Sequence, residues 1–92
     1  MTLSWDENKR SDTLANRQLD FADVDKIFSG FHVDQVDDRK DYGEVRYIVV
    51  GMIDEKFFVA VWTPRPDSKR IISMRKANAK EEARYRAALA GY

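Results

Sequence analysis

The sequence has no cysteine and a single histidine. Without cysteine the chain has no disulfide, no thiolate nucleophile and no Cys-ligated metal. The carboxylates are scattered, with neither H-E-x-x-H nor D-x-D-x-D-G spacing, and the four glycines form no phosphate-cradling cluster. We therefore expect neither a metal site nor any other cofactor.

Long hydrophobic runs are also missing. No stretch approaches the roughly 18 apolar residues of a membrane helix. After Met1 the chain reaches Trp5, Asp6 and Glu7 without the apolar segment of a secretion signal. The sequence thus predicts a cytoplasmic protein that does not associate with membranes.

The formal net charge is zero, but the charges are unevenly distributed along the chain. Residues 1–44 contain 6 Lys and Arg against 11 Asp and Glu, whereas residues 45–92 contain 10 against 5. If the fold keeps the two halves apart, one surface is cationic and suited to phosphate. Alternatively, the two halves pair with each other. A length of 92 residues and 43% hydrophobic content indicate a single domain over residues 1–92.

Three segments have helical periodicity or helix-start signals, and they are residues 6–16, 21–28 and 79–89. Ser4 and Glu7 have the S-x-x-E spacing of a capping box before the first helix, and Asp20 precedes the second. Gly30 offers a left-handed residue where the second helix ends. Asn78 and Glu81 offer a weaker capping pair for the last helix.

Four segments read as strands, and they are residues 31–36, 44–51, 56–63 and 69–74. The charged segment 37–43 is a loop between antiparallel strands, and Asp54-Glu55 is a turn. Pro64 and Pro66 stop the third strand and hold Arg65 in a rigid loop. The sequence predicts an α+β fold with two N-terminal helices, an antiparallel four-stranded sheet and a C-terminal helix. Residues 1–5 add a fifth, edge strand if they pair.

Six charged residues of the loop and strands are candidates for function: Arg39, Glu44, Arg46, Arg65, Arg70 and Arg75. Strand alternation places Glu44 and Arg46 on one face and separates Arg70 from Arg75, although side-chain direction is freer where the strand ends. Several guanidinium groups on one region of a sheet suit an RNA backbone, because each matches phosphate oxygens. The alternative is that they form surface ion pairs with the acidic half.

Cleavage of RNA by its own 2′-hydroxyl needs a base, a cation near phosphorus and an acid. Arginine suits the second role, because its pKa above 12 makes it a poor proton carrier near pH 7. Glu44 is the candidate base or else a solvated carboxylate, and His32 is either a proton carrier or structural. Tyr42, Tyr47 and Trp62 could stack on bases, or Tyr47 and Trp62 belong to the core.

Several motifs resemble the BrnT toxins of bacterial type II toxin–antitoxin modules. They are Trp5-Asp6-Glu7, Phe21, Asp38-Arg39-x-Asp41-Tyr42-Gly43-Glu44-x-Arg46, Thr63-x-Arg65 and Arg70-Ile71-Ile72-Ser73-x-Arg75-x-Ala77. The resemblance implies a RelE-like α+β fold and a growth-inhibiting ribonuclease that works without a metal. It also implies a BrnA-like ribbon-helix-helix antitoxin partner, a hetero-oligomer with it, and contact with DNA only through that antitoxin.

By position, the residues that match family motif residues, near which the resemblance implies the active surface, are Glu44, Arg46, Arg65, Arg70 and Arg75. The candidate catalytic residues are Glu44, Arg46, Arg65 and Arg75, and the candidate substrate-binding residues are Arg39, Arg70 and Lys76. One departure stands out, because family members usually have a Lys-His-Gly-like turn where this chain has Asn16-Arg17-Gln18. If that turn carries an acid or base, the alternative is a weak or inactive toxin fold that binds antitoxin or RNA. A free-standing RNA-binding domain is a third possibility, since it needs only the basic half.

Overall fold

The computed structural model describes residues 2–91 and has the predicted α+β class. Its strands are β1 (Leu3–Trp5), β2 (His32–Val36), β3 (Tyr47–Ile53), β4 (Lys56–Arg65) and β5 (Ser68–Lys76). Its helices are α1 (Glu7–Arg17), α2 (Val24–Ser29) and α3 (Ala79–Ala90), and a 3₁₀-helix, Phe21–Asp23, leads directly into α2.

The five strands form one sheet in the order β1-β5-β4-β3-β2. Strands β2 to β5 pair antiparallel with their neighbours, as predicted, and β1 is the predicted edge strand over its described residues; Met1 lies outside them. However, β1 runs parallel to β5. The sheet is therefore mixed and not wholly antiparallel, because a three-residue strand carries no sequence signal for its direction.

The N-cap of the first helix lies two residues after the predicted one. Asp6 is the N-cap, and its carboxylate accepts hydrogen bonds from the backbone N–H groups of Asn8 (2.9 Å) and Lys9 (3.2 Å). Ser4 lies in β1, where its hydroxyl contacts that of Ser68 at 2.9 Å. The predicted Ser4–Glu7 capping box is thus wrong, since strand pairing takes Ser4 away from the helix start.

The second helical segment is divided. Asp20 accepts from the Ala22 N–H at 3.0 Å, as an N-cap should, but it starts the 3₁₀-helix, and α2 itself has six residues. Gly30 ends α2 with φ −110°, so it is extended and not left-handed as predicted. The last helix has the full capping box that Asn78 and Glu81 predict.

The sheet is covered on both faces, but unequally. On the α2 face, Phe21, Val24 and Ile27 pack against a row of strand residues that includes Val49, Phe58, Ala60, Trp62, Ile71 and Met74. On the α3 face, Tyr85 packs against Val50, Val59 and their neighbours. The α3 face is thus covered by one helix over only part of the sheet, which leaves space for a site.

Several strand boundaries differ from prediction, and two of them affect the candidate residues. Strand β3 begins at Tyr47, so Glu44 and Arg46 precede it, and β4 continues through Pro64 to Arg65, opposite Ser68. Proline is tolerated at position 64 because β3 begins opposite Trp62. Beyond Trp62, β4 no longer pairs with β3, so Pro64 needs no backbone N–H on the edge that faces β3. The predicted rigid loop at Arg65 is therefore the end of a strand.

Candidate functional site

A bulge in β5 determines which side chains share a face. Val61 of β4 lies opposite Ser73, and the next residue, Trp62, lies opposite Ile71, so Ile72 is an extra residue in β5. An extra residue shifts the alternation of the strand by one position. Side chains before and after Ile72 that strict alternation would separate therefore point to the same side.

This shift brings Arg70 and Arg75 together. Arg75 lies opposite Val59 on the α3 face, and Arg70 lies opposite Thr63, which alternation along β4 places on that face too. The prediction that alternation separates these two arginines is wrong, because no pattern in the sequence signalled the bulge. Arg65, two residues after Thr63, joins them on the α3 face.

Glu44 connects the segment before β3 to the end of β4. Its carboxylate accepts from Arg46 Nε at 3.2 Å and from Arg65 Nη1 at 3.4 Å. The Arg46 hydrogen bond, followed by the charges of both arginines, holds the pKa of Glu44 below its usual value. The Thr63 hydroxyl donates to the Val45 carbonyl at 2.7 Å and so ties this segment to the core.

The loop 37–43 carries two further members of the site. The buried Asp37 carboxylate accepts from Arg39 Nε (2.7 Å) and Nη2 (2.8 Å) and from the Tyr42 hydroxyl (3.0 Å). The Arg46 guanidinium lies over the Tyr42 ring, 4.2 Å from its centre. The loop is therefore a folded element that holds Arg39 beside the sheet.

Arg75 makes a two-point ion pair with the first turn of α3. Its Nη1 and Nη2 donate to Glu81 Oε1 and Oε2, both at 2.7 Å. This pairing raises the pKa of Arg75, and the positive charge of Arg39 opposes the rise. We use the name arginine surface for Glu44 and the five arginines of this face, which are Arg39, Arg46, Arg65, Arg70 and Arg75.

Arg70 differs from the other four arginines. It makes no ion pair within residues 2–91, whereas each of the others has a carboxylate partner. Its side chain is half-buried between the ends of β4 and β1. Arg70 is therefore the cation of this surface that is most available to an incoming anion.

Lys76, a predicted substrate-binding residue, does not belong to this surface. It lies opposite Phe58 on the α2 face. There it lines a cavity of about 350 Å³ with Arg17 and Lys56. The structure thus brings together six of the seven candidate residues and places Lys76 on the other side of the sheet.

The aromatic and histidine candidates are engaged within the fold. Trp62 is buried, stacks on Tyr47 with ring centres 4.8 Å apart, and donates from Nε1 to Asp34 at 3.0 Å. His32 Nδ1 lies 2.9 Å from the Gly30 carbonyl, and its ring meets the edge of Phe28. Tyr47 and Trp62 thus belong to the core, whereas His32 is half-buried and lies on the α2 face, away from the arginine surface.

The divergent turn at Asn16-Arg17-Gln18 ends α1. Arg17 Nη1 donates to the Met74 carbonyl at 2.8 Å, so this arginine fastens α1 to β5. Gln18 is the C-cap in the left-handed region, with φ 57°. Left-handed backbone favours glycine, so the glycine that the resemblance leads us to expect at this position would suit it.

The two halves of the chain do not neutralise each other extensively. Ion pairs within residues 2–91 join partners from the same half, except that Glu44 binds Arg46 and Arg65. Among residues 2–91, the pairing predicted as the alternative to a cationic surface is therefore limited to one carboxylate.

The described part of the chain, residues 2–91, contains no group of three or more His, Cys, Asp or Glu side chains that could hold a metal ion. Within the same residues, no helix is long and apolar enough to cross a membrane.

Sequence reasoning missed two residues of the site. Asp37 was assigned only to a charged loop, and Glu81 only to a helix cap, yet each holds an arginine of the surface through two hydrogen bonds. The Asp-x-Arg spacing of Asp37 and Arg39 is the local signal for the first. No local signal exists for the second, because the partner of Glu81 lies on the preceding strand.

Comparison with known proteins gives one family. The family model described as "Ribonuclease toxin, BrnT, of type II toxin-antitoxin system" matches residues 5–81, a span that includes all six members of the arginine surface and Glu81. A search of curated proteins gives no match.

Proposed function

Because the chain belongs to the BrnT family of ribonuclease toxins of type II toxin–antitoxin systems, we propose that its arginine surface binds and cleaves RNA. The carrying observation is the bulge at Ile72, which places Arg70 and Arg75 on the face that also bears Arg65 and Arg46. Several guanidinium groups on one face suit a phosphate backbone, because each is positively charged and can donate hydrogen bonds to phosphate oxygens.

We propose metal-independent endonucleolytic cleavage. The RNA 2′-hydroxyl loses its proton to a base, its oxygen bonds to phosphorus, and the bond from phosphorus to the 5′-oxygen breaks as that oxygen gains a proton. Charge accumulates on the nonbridging oxygens, and Arg65, Arg70 and Arg75 offset it there. Arg46 assists, and Arg39 extends the surface along the bound strand. Guanidinium groups supply the positive charge that a metal ion supplies in other nucleases.

Glu44 is the candidate base of this scheme. Its two ion pairs lower its pKa, which keeps it ionised at neutral pH and able to accept a proton, although a low pKa weakens it as a base. The two arginines also fix its position beside the site where phosphate would bind. The acid that protonates the leaving oxygen has no assignment among these residues, since arginine cannot serve.

The family implies a protein antitoxin as partner. We propose that this partner is a BrnA-like ribbon-helix-helix protein, that the two form a hetero-oligomer, and that DNA is contacted only through the antitoxin. On this proposal both RNA substrate and antitoxin are met in the cytoplasm.

The test is cleavage of a synthetic single-stranded RNA by the purified chain in EDTA, with the new ends mapped. The variants are Arg75→Ala and Arg70→Ala, and Lys26→Ala is the control, because it removes one positive charge on α2, away from the surface. Loss of one charge-stabilising donor costs on the order of 10²–10³ in rate. We expect both arginine variants to lose activity by this factor or more, and the control to keep it.

A second function has support from the same surface. Glu44 and Glu81 already occupy three of the five arginines, and Arg17 at the divergent turn is fastened to Met74. This arrangement favours an inactive toxin fold that still binds antitoxin. Cleavage in EDTA excludes it, whereas a folded, nuclease-free preparation that binds antitoxin but cuts no RNA would establish it and overturn the ribonuclease proposal.

A further inference from the structure

Arg75 is the one arginine of the arginine surface whose guanidinium is bound through its two terminal nitrogens by a carboxylate from α3. Both terminal nitrogens are taken, each at 2.7 Å from a Glu81 oxygen. A phosphate group binds an arginine fork through two oxygens in the same way. The carboxylate of Glu81 therefore occupies the position in which Arg75 would hold a phosphate.

We propose that Glu81 is an internal competitor for the phosphate subsite of Arg75, and that RNA must displace it to bind. The inference rests on the proposed function, because it concerns the same surface and the same substrate class. It assigns Glu81 a role in the affinity for RNA that neither the family description nor the capping box gives it.

Displacement is feasible because Glu81 has a second partner. Its Oε1 also accepts from the Asn78 N–H at 2.8 Å, as part of the capping box of α3. If Arg75 turns to a phosphate, Glu81 keeps this hydrogen bond and the helix keeps its cap. The exchange thus costs the ion pair and the long hydrogen bond, 3.3 Å, from Arg75 Nη1 to the Lys76 carbonyl, but not the helix cap.

The pair is also open to solvent on the arginine side. About 41% of the Arg75 side chain is exposed, against 15% for Glu81. A partly exposed pair of this kind is worth little compared with a buried one. An incoming phosphate can therefore approach the guanidinium without first unfolding α3.

The variant Glu81→Gln separates the two roles of this residue. Glutamine at this position still accepts from the N-cap backbone, so the capping box remains, but its amide does not attract a guanidinium as a charge does. The matched control is Glu82→Gln, which makes the same charge change one residue further along α3. Glu82 pairs with Arg86, outside the arginine surface.

The measurement is the dissociation constant for a single-stranded RNA with 2′-O-methyl groups at every position, which binds but cannot be cleaved, at fixed salt. We expect Glu81→Gln to bind about two- to fivefold more tightly than the unsubstituted chain, the range that exposed ion pairs span. Glu82→Gln should bind as the unsubstituted chain does. In an Arg75→Ala background, Glu81→Gln should give no gain over Arg75→Ala alone.

Equal affinity of the two glutamine variants would overturn the inference while leaving RNA binding, and the proposed function, in place. A gain that persists in the Arg75→Ala background would also overturn it, since the effect would not pass through Arg75. If the unsubstituted chain and Glu81→Gln neither bind this RNA nor cleave unmodified RNA, the proposed function fails and the inference fails with it.

Discussion

The Asp37 carboxylate is closed off from solvent while the Arg39 guanidinium paired with it is largely exposed; 1% and 64% of the two side chains are accessible. Arg39 Nε and Nη2 both donate to this carboxylate, and the Tyr42 hydroxyl is its third side-chain donor. The buried anion is thus fully occupied in holding the loop. The loop in turn presents Arg39 and supports Arg46 through the Tyr42 ring.

The stability contributed by Asp37 depends on pH with a definite sign. The Arg39 hydrogen bonds hold the pKa of the carboxyl well below its usual range. A group whose pKa is lower in the folded state stabilises the fold above its unfolded pKa, near 3.8, and loses that contribution as the pH falls towards the folded value.

We therefore expect Asp37→Asn to lower the free energy of unfolding at pH 7 by about 1–3 kcal/mol, the cost of weakening a buried charged hydrogen bond. The difference from the unsubstituted chain should shrink at pH 3. Urea unfolding at the two pH values measures this, with Asp38→Asn, an exposed neighbour, as control. A difference that is the same at both pH values would contradict the assignment.

Gln18 provides a prediction about the divergent turn. It has φ 57° and donates its backbone N–H to the Leu14 carbonyl at 3.1 Å, so it ends α1 in a conformation that favours glycine. Gln18→Gly should raise the free energy of unfolding by about 0.5–1 kcal/mol. The control, Ala15→Gly, places glycine inside α1 and should lower it by about 1 kcal/mol. Equal effects of the two changes on the urea midpoint would refute this explanation.

Local patterns predicted most of the fold. The helix caps at Asp20 and Asn78, the turn at Asp54-Glu55 and the four main strands follow from signals within a few residues. Asp54 and Glu55 are both left-handed, with φ 51° and 67°, as a two-residue hairpin turn requires.

The site could be predicted in composition but not in geometry. Six of the seven candidate residues lie on one face, but Arg70 shares that face with Arg75 only because of a bulge at Ile72, which depends on how β4 and β5 pair and leaves no periodic signal. Lys76, a candidate substrate-binding residue, follows Arg75 in sequence, but alternation after the bulge places it on the opposite face. Contacts between elements, such as Arg75 with Glu81, are set by the packing of α3.

A substitution at Gly51 tests how closely α2 approaches the sheet. A methyl group added at this buried β3 position would lie 2.6 Å from Ile27 Cγ2 and 3.4 Å from Ile27 Cβ. We expect Gly51→Ala to lower the free energy of unfolding by about 1–3 kcal/mol through overpacking. Gly30→Ala is the matched control, because an added methyl group meets nothing within 4 Å there. A thermal midpoint for Gly51→Ala equal to that of Gly30→Ala would show that α2 can move away without cost.

Glu44 gives the prediction that separates chemistry from binding. If its carboxylate takes the 2′-hydroxyl proton, Glu44→Gln removes the base and should lower the single-turnover cleavage rate by about 10²–10⁴. Binding should not weaken, because the change removes a negative charge from a surface that attracts phosphate and releases Arg46 and Arg65 from their ion pairs. The dissociation constant for 2′-O-methyl RNA should therefore stay equal or fall.

The dependence of the rate on pH follows from the same pair of contacts. Because Arg46, then Arg65, lower the pKa of Glu44 from 4.5, the carboxylate remains ionised down to that pH, and Glu44 causes no loss of rate between pH 7 and about pH 5. Glu82→Gln, the same change outside the surface, should leave rate and affinity unaltered. A Glu44→Gln rate within tenfold of the unsubstituted chain would remove Glu44 as the base and leave it the role of holding Arg46 and Arg65 in position.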